Sequence, residues 1–283
     1  MTSVAVEGKY SEMNNKTESV PYWSPFLKEG IMMHQTTSQC CRFCCCQPNI
    51  DWTVHPLKKS QEISIADDQL GPAVFQVTED AGYCGRTWSH CYPGFRATTY
   101  SVKSTDPDDQ RILIKHEKKQ TCPINFLLGY GDQGQPIRCP CCCFLPYLDT
   151  YDAITNQKLG SSKVICNCKP LCCPKFAVHD ADDKPKYLLR PDLCWCDQCY
   201  DVKCGKGAKC CYIPFYIRDY VTEDKLGDED VAIVDLFIGL EHELCTKKNL
   251  YAIKFPESAS DADKATLMGA VLVYDITLNE QQQ

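Results

Sequence analysis

The feature that most constrains the fold of this chain is one apolar stretch late in the sequence, Ala265 to Ile276 (ATLMGAVLVYDI), which follows a long series of short β-type segments. A helix that spans a bilayer needs roughly 18 to 20 apolar residues. This stretch is shorter and carries Asp275, so it reads as a core helix. Across residues 264–279, Leu267, Ala270, Val271 and Tyr274 recur at helical intervals. Its other faces are also largely apolar, and a helix apolar nearly all round must be buried on every side. Within a chain that otherwise reads as β, a closed barrel supplies that enclosure and leaves no exposed sheet edge.

The β-type segments begin after Pro72: PAVFQVTED, RATTYSVKS, RILIKHE, SKVICNC, KFAVHDA, KYLLRPD, YIPFYIRDYV, VAIVDLFIGL and LYAIKF. They recur about every 8 to 15 residues and are separated by turn chemistry such as GYGDQGQP at Gly129–Pro136. This spacing predicts an antiparallel sandwich or barrel. Residues 1–65 show little periodicity and contain the cysteine group QCCRFCCCQP. They are expected to form a mobile arm, with residues 66–283 as the barrel domain and its helix at 264–279. A chain of 283 residues is long enough to bury a core without covalent staples.

The 37 acidic residues outnumber the 30 basic ones, for a net charge of −7, and the acids concentrate between Asp219 and Glu243, where Lys225 is the one base. That balance argues against nucleic acid as a partner. Twenty-three cysteines are the compositional outlier. Many stand side by side, as in Cys44-Cys45-Cys46 and Cys141-Cys142-Cys143, whereas adjacent cysteines rarely have the geometry to pair, and secreted disulfide frameworks belong mostly to short chains. The first residues show neither a basic n-region nor an apolar run. The thiols are therefore expected to be reduced and cytosol-facing, and the sequon Asn15-Lys16-Thr17 to be a chance match.

Over about residues 71–280 the sequence resembles the phospholipid scramblases. The matching features occur in the family's order: GPAVFQVTED followed by Cys84, Arg86 and Cys91; RCPCCC at Arg138–Cys143; Leu159-Gly160; CPKF at Cys173–Phe176; CWCDQCYDV at Cys194–Val202; AIKFP at Ala252–Pro256; and the terminal KATLMGAVLVYDITLNE. The resemblance implies a Tubby-like fold, a closed antiparallel barrel of twelve strands around a buried C-terminal helix. It also implies energy-independent movement of phospholipids between leaflets, and S-palmitoylation in the run Arg138–Cys143. One departure concerns calcium. The family carries an acidic segment just before the Phe-Pro dipeptide, and here that stretch holds Lys247 and Lys248. Calcium needs six to eight oxygen ligands, so only Asp261 and Asp263 beyond the dipeptide remain as candidates, and calcium dependence is in doubt.

The candidate site residues follow. Cys139, Cys141, Cys142 and Cys143 form the principal acylation cluster, where clustered thiols beside aromatic and aliphatic residues at 144–148, expected to be exposed, suit covalent palmitate on a surface loop. Cys40, Cys41, Cys44, Cys45 and Cys46 form a second candidate cluster. The competing chemistry is zinc, for which Cys194, Cys196, Cys199 and Cys204 offer four thiolates with one C-x2-C pair, and Cys166, Cys168, Cys172 and Cys173 form another group. A third reading makes the cysteines small buried residues lining the barrel. No catalytic constellation is visible: His90-Cys91 are mere neighbours in sequence, and Gly205 and Gly207 read as a hairpin turn. Two function classes follow, a membrane-attached scramblase-like protein acting on membrane phospholipids and a non-catalytic accessory or scaffold subunit of a membrane-associated protein assembly. Neither requires a transmembrane helix.

Overall fold

The computed structural model describes residues 21–37, 50–57, 71–81, 97–118, 145–165, 175–192, 213–227, 231–236 and 249–278. A short 3-10 turn (Ser24–Phe26) precedes strands β1 (Gly30–Gln35), β2 (Asp51–Pro56), β3 (Phe75–Asp80), β4 (Thr98–Ser104), β5 (Ile112–Lys118) and β6 (Tyr147–Asp152). Then come β7 (Lys158–Ile165), β8 (Lys175–His179), β9 (Pro185–Arg190), β10 (Phe215–Asp219), β11 (Ala232–Leu236), β12 (Leu250–Lys254) and the helix α1 (Asp261–Leu278). Each strand pairs antiparallel with its neighbours in sequence, and β12 closes the circle on β1. The protein is thus a closed antiparallel barrel with one C-terminal helix, as the terminal apolar stretch and the strand spacing predict.

Alternation along the strands turns one face toward the helix. In β3, Phe75, Val77 and Glu79 are buried while Gln76 and Asp80 are exposed, and in β4 Thr98, Tyr100 and Val102 are buried. The wall formed by β10, β11, β12 and β1 departs from this pattern. Its outward residues, among them Met32, Tyr216, Val234 and Leu250, make a second apolar cluster. Strands buried on both faces read as continuous apolar runs, as the sequence LYAIK of β12 does.

Inside the barrel, Leu267, Met268, Ala270, Val271, Leu272 and Val273 of α1 are all buried, together with Ile276 further along. The helix lies close against β7 because Gly160 has no side chain. A Cβ there would stand 2.4 Å from the His179 carbonyl oxygen and 2.7 Å from Thr266 Oγ1. Ser162 Oγ donates to the Thr266 carbonyl across the same contact at 3.0 Å. Toward the other end of α1, Tyr274 meets Phe215 and Tyr251 edge to face at centroid distances of 4.9 and 5.4 Å, a geometry that adds specificity to apolar burial.

Three sequence expectations are corrected. First, the barrel starts well before residue 66: β1 and β2 are staves of it, and Trp23 and Leu27 belong to its core. The arm's remaining parts, residues 1–20, 38–49 and 58–65, lie outside the described residues. β1 and β2 escape the sequence pattern because GIMMHQ and DWTVHP stand isolated in polar, cysteine-rich sequence. Second, α1 begins at Asp261 rather than 264. Ser260 and Asp263 form a reciprocal cap: the Asp263 amide donates to Ser260 Oγ at 3.2 Å and the Ser260 amide to Asp263 Oδ2 at 2.8 Å. This satisfies amides that the first helical turn leaves unpaired. Third, Leu145 and Leu148, after Cys143, are not part of an exposed flank, since Leu145 packs against the core and Leu148 is a buried residue of β6, while Phe144 lies outside the described residues.

Candidate functional site

Because the strands run up and down in sequence order, successive connections alternate between the two ends of the barrel. The links β1–β2, β3–β4, β5–β6, β7–β8, β9–β10 and β11–β12 leave and return at one end. The links β2–β3, β4–β5, β6–β7, β8–β9 and β10–β11, and the link from β12 to α1, belong to the other. The cysteines divide along this line without exception. Cys40, Cys41, Cys44, Cys45 and Cys46 fall between β1 and β2, Cys84 and Cys91 between β3 and β4, and Cys122, Cys139, Cys141, Cys142 and Cys143 between β5 and β6. Cys166, Cys168, Cys172 and Cys173 fall between β7 and β8. Cys194, Cys196, Cys199, Cys204, Cys210 and Cys211 fall between β9 and β10, and Cys245 between β11 and β12.

All 23 cysteines therefore belong to segments that start and finish at the same end of the barrel. The thiols themselves, and with them every candidate acylation and zinc residue, lie outside the described residues. No described strand carries a cysteine, so thiols do not line the described barrel wall.

Among the described residues, the opposite end carries compact turns held by aspartates. Asp152 Oδ1 accepts from the amides of Ile154 and Thr155, both at 2.9 Å. Asp180 Oδ1 accepts from Asp182 and Lys184, and Asp219 Oδ1 from Val221 and Thr222. After each such aspartate comes a residue in the left-handed region, Asn156 (φ 56°), Asp183 (φ 61°) and Glu223 (φ 58°). Short polar side chains tolerate this conformation best, and the aspartate carboxylate holds the turn closed. Ion pairs brace the rim, with Lys158 Nζ 2.9 Å from Asp183 and 3.2 Å from Asp149. Arg111 grips Asp109 with both Nε and Nη2, at 2.7 and 2.9 Å, and holds that carboxyl down at about 2.

The two calcium candidates sit at this aspartate end, at the start of α1. Asp263 Oδ2 receives Lys186 Nζ at 2.5 Å, Tyr187 OH at 3.2 Å and Ser260 Oγ at 2.7 Å. Burial pushes the Asp263 carboxyl up, but the hydrogen bonds from Lys186 and Ser260 outweigh it and hold the group below its ordinary value. Asp261 accepts from Ser24 Oγ and pairs with Lys264 at 3.7 Å. A cation here would have to displace one ammonium group and lie beside another. Among the described residues, no three His, Cys, Asp or Glu side chains gather as a metal site would require. Lys247 and Lys248 lie outside the described residues.

A feature the sequence reading did not find is a polar row inside the barrel. Glu79 stands opposite Tyr100, Tyr100 opposite His116, and His116 opposite Thr150 on four consecutive strands. His116 is fully buried, with Nδ1 3.0 Å from Thr150 Oγ1, and Gly269 of α1 leaves room for both. Burial pushes this imidazole down to about 3 and keeps it neutral. Nothing in the linear sequence signals the row, since its members come from separate strands.

Among the described residues no helix is long and apolar enough to cross a membrane. Compared with protein-family models, with curated proteins and with solved structures, the chain matches none.

Proposed function

We propose that this protein is a scramblase-like, Tubby-like barrel that attaches to the cytosolic face of a membrane through palmitate on its cysteine-bearing end and acts on phospholipids. The observation that carries this reading is the location of every cysteine on connections of one barrel end. Acyl chains add their membrane affinities only if they can enter the same leaflet together. Each buried methylene contributes about 0.8 kcal/mol, one chain holds only marginally, and two or more give lasting attachment. Thiols distributed over both ends of a rigid barrel could not act in concert, whereas thiols confined to one end can.

The test is direct. Replacing Cys139, Cys141, Cys142 and Cys143 by Ser should release the protein from the membrane fraction of its native cell, and mass analysis of the unsubstituted protein should find acyl groups at those positions. Retention of that variant, with release only when Cys40, Cys41, Cys44, Cys45 and Cys46 are replaced, moves the anchor to the β1–β2 connection. If a variant with all nine of these cysteines replaced stays bound, the acyl-anchor reading fails. Should zinc rather than palmitate occupy Cys194, Cys196, Cys199 and Cys204, the purified protein will carry stoichiometric metal and lose it to a chelator.

One observation supports the accessory or scaffold reading beside this one. The barrel interior is filled by α1 and its aromatic contacts, so any lipid path would have to run along the outside. Liposomes carrying a fluorescent lipid in one leaflet separate the two: scrambling above that of protein-free liposomes favours the first, and none favours the second. Calorimetry should find no calcium binding at Asp261 and Asp263 tighter than about the millimolar range of sparse carboxylate sites.

A further inference from the structure

A cleft of about 680 Å3 opens at the aspartate end, between the Lys28-Glu29 run that leads into β1, the β10–β11 connection and the β12–α1 connection. Its volume falls within the roughly 300 to 1,000 Å3 of small-molecule sites. The cleft is graded in depth. Lys254 at its floor is only 7 % exposed, the Lys264 side chain 15 %, and Leu226 and Val231 supply partly buried apolar surface packed on the core. Its mouth is exposed and, among the described residues, carries Glu29 and Glu257 beside the single cation Lys28, so it is acidic on balance.

We propose that the cleft binds the zwitterionic head of an amphiphile of the phosphocholine or phosphoethanolamine type, phosphate inward on Lys254 and Lys264 and ammonium outward at Glu29 and Glu257. Ammonium groups in a partly dehydrated floor attract a phosphate more strongly than they would in open water. A purely anionic ligand fits the surroundings less well, because the protein carries a net charge of −7 and Glu29 and Glu257 stand at the cleft's mouth. A dipolar head satisfies both ends of the gradient. Glu29, Lys254 and Glu257 already take part in other interactions and Lys264 pairs with Asp261 at 3.7 Å, so the ligand binds by exchanging partners. The inference extends the lipid reading above and does not rest on acylation, since the cysteine-bearing connections leave and return at the end opposite the cleft. The same head chemistry is offered by a lipid and by a water-soluble head group.

The test uses the full-length protein produced without acyl groups and titrated with four probes: dodecylphosphocholine below its micelle concentration, phosphocholine, dodecyl phosphate and inorganic phosphate. Saturable binding of dodecylphosphocholine is expected, with Lys264→Gln weakening it about tenfold or more, roughly the 1.4 kcal/mol of one charge-assisted contact. Glu257→Lys, an exposed change that does not threaten the fold, should weaken dodecylphosphocholine while leaving dodecyl phosphate as tight or tighter. If phosphocholine binds as tightly as its dodecyl form, the source is a soluble head group and the head chemistry stands. Inorganic phosphate binding equally well, dodecyl phosphate binding the unsubstituted protein more tightly than dodecylphosphocholine, or indifference to both substitutions would each overturn the proposal. Membrane fractionation reports on the acyl anchor separately, so the two ideas fail independently.

Discussion

The two ends of this barrel are made from the same strands and differ in almost everything else. At one end, turns such as Asp152–Thr155 and Asp180–Lys184 are short, closed by aspartate carboxylates on backbone amides and braced by lysines. At the other, the connections carry every cysteine of the chain, in runs up to three long. An aspartate-capped turn stabilises the fold by satisfying its own amides. A run of thiols contributes nothing comparable to local backbone structure. The difference teaches that the aspartate turns stabilise one end while, under the proposed function, attachment belongs to the other, so substitutions at the two ends should change different observables.

The largest expected effect on stability lies between the ends, where the helix meets the wall. Gly160→Ala forces a Cβ to within 2.4 Å of a backbone carbonyl that belongs to the sheet, and overpacking of this kind costs about 3 kcal/mol. Urea unfolding measures it. A cost under about 1 kcal/mol would mean that α1 can shift away from β7 without loss.

The next effect depends on pH. His116 has its folded value pushed down to about 3 by burial, against roughly 6.5 in an unfolded chain. Between those values the unfolded state binds the extra proton, so this stabilising contribution is complete above about pH 6.5 and is lost progressively as the pH falls toward 3. From pH 7 to pH 5 the loss should approach roughly 2 kcal/mol, at about 1.4 kcal/mol per unit. In His116→Gln that dependence should flatten. Equal slopes in the two proteins would assign the pH sensitivity to other groups.

Smaller again is Asp180→Ala, which removes the carboxylate that accepts from Asp182 and Lys184. It should cost about 1 kcal/mol, in line with the loss of a capping side chain, and leave the protein's membrane fraction unchanged. The smallest effect on stability is expected at the other end. Replacing Cys139, Cys141, Cys142 and Cys143 by Ser should shift unfolding by no more than about 0.5 kcal/mol while moving the protein off the membrane. A large destabilisation there would show that the thiols hold structure, by metal or by burial, and the contrast between the ends would collapse.

Much of the fold was legible in the sequence. Strands β3, β4, β5 and β7 to β12 match the β-type segments, and the buried helix follows from Leu267, Ala270, Val271 and Tyr274 alone. Local periodicity is written in neighbouring residues, which is why it survives without a structure. Less of the candidate site was legible. Asp261 and Asp263 read as free carboxylates, yet the partners that hold them, Ser24, Lys186 and Tyr187, arrive from far along the chain. The row from Glu79 to Thr150 was invisible for the same reason.

By itself, then, the sequence determined that an apolar helix had to be enclosed, that antiparallel strands would enclose it, and that thiols would stand in clusters. Only the tertiary structure decided where those clusters lie. The end to which a connection belongs depends on how many strands precede it. β1, β2 and β6 are as long as strands that the sequence does show, but GIMMHQ, DWTVHP and YLDTYD mix polar and apolar residues beside cysteine-rich or polar runs, and missing even one of them assigns every later connection to the wrong end. Once the barrel closes on β1 and β12, the count is complete, and every connection that carries a cysteine leaves and returns at the same end.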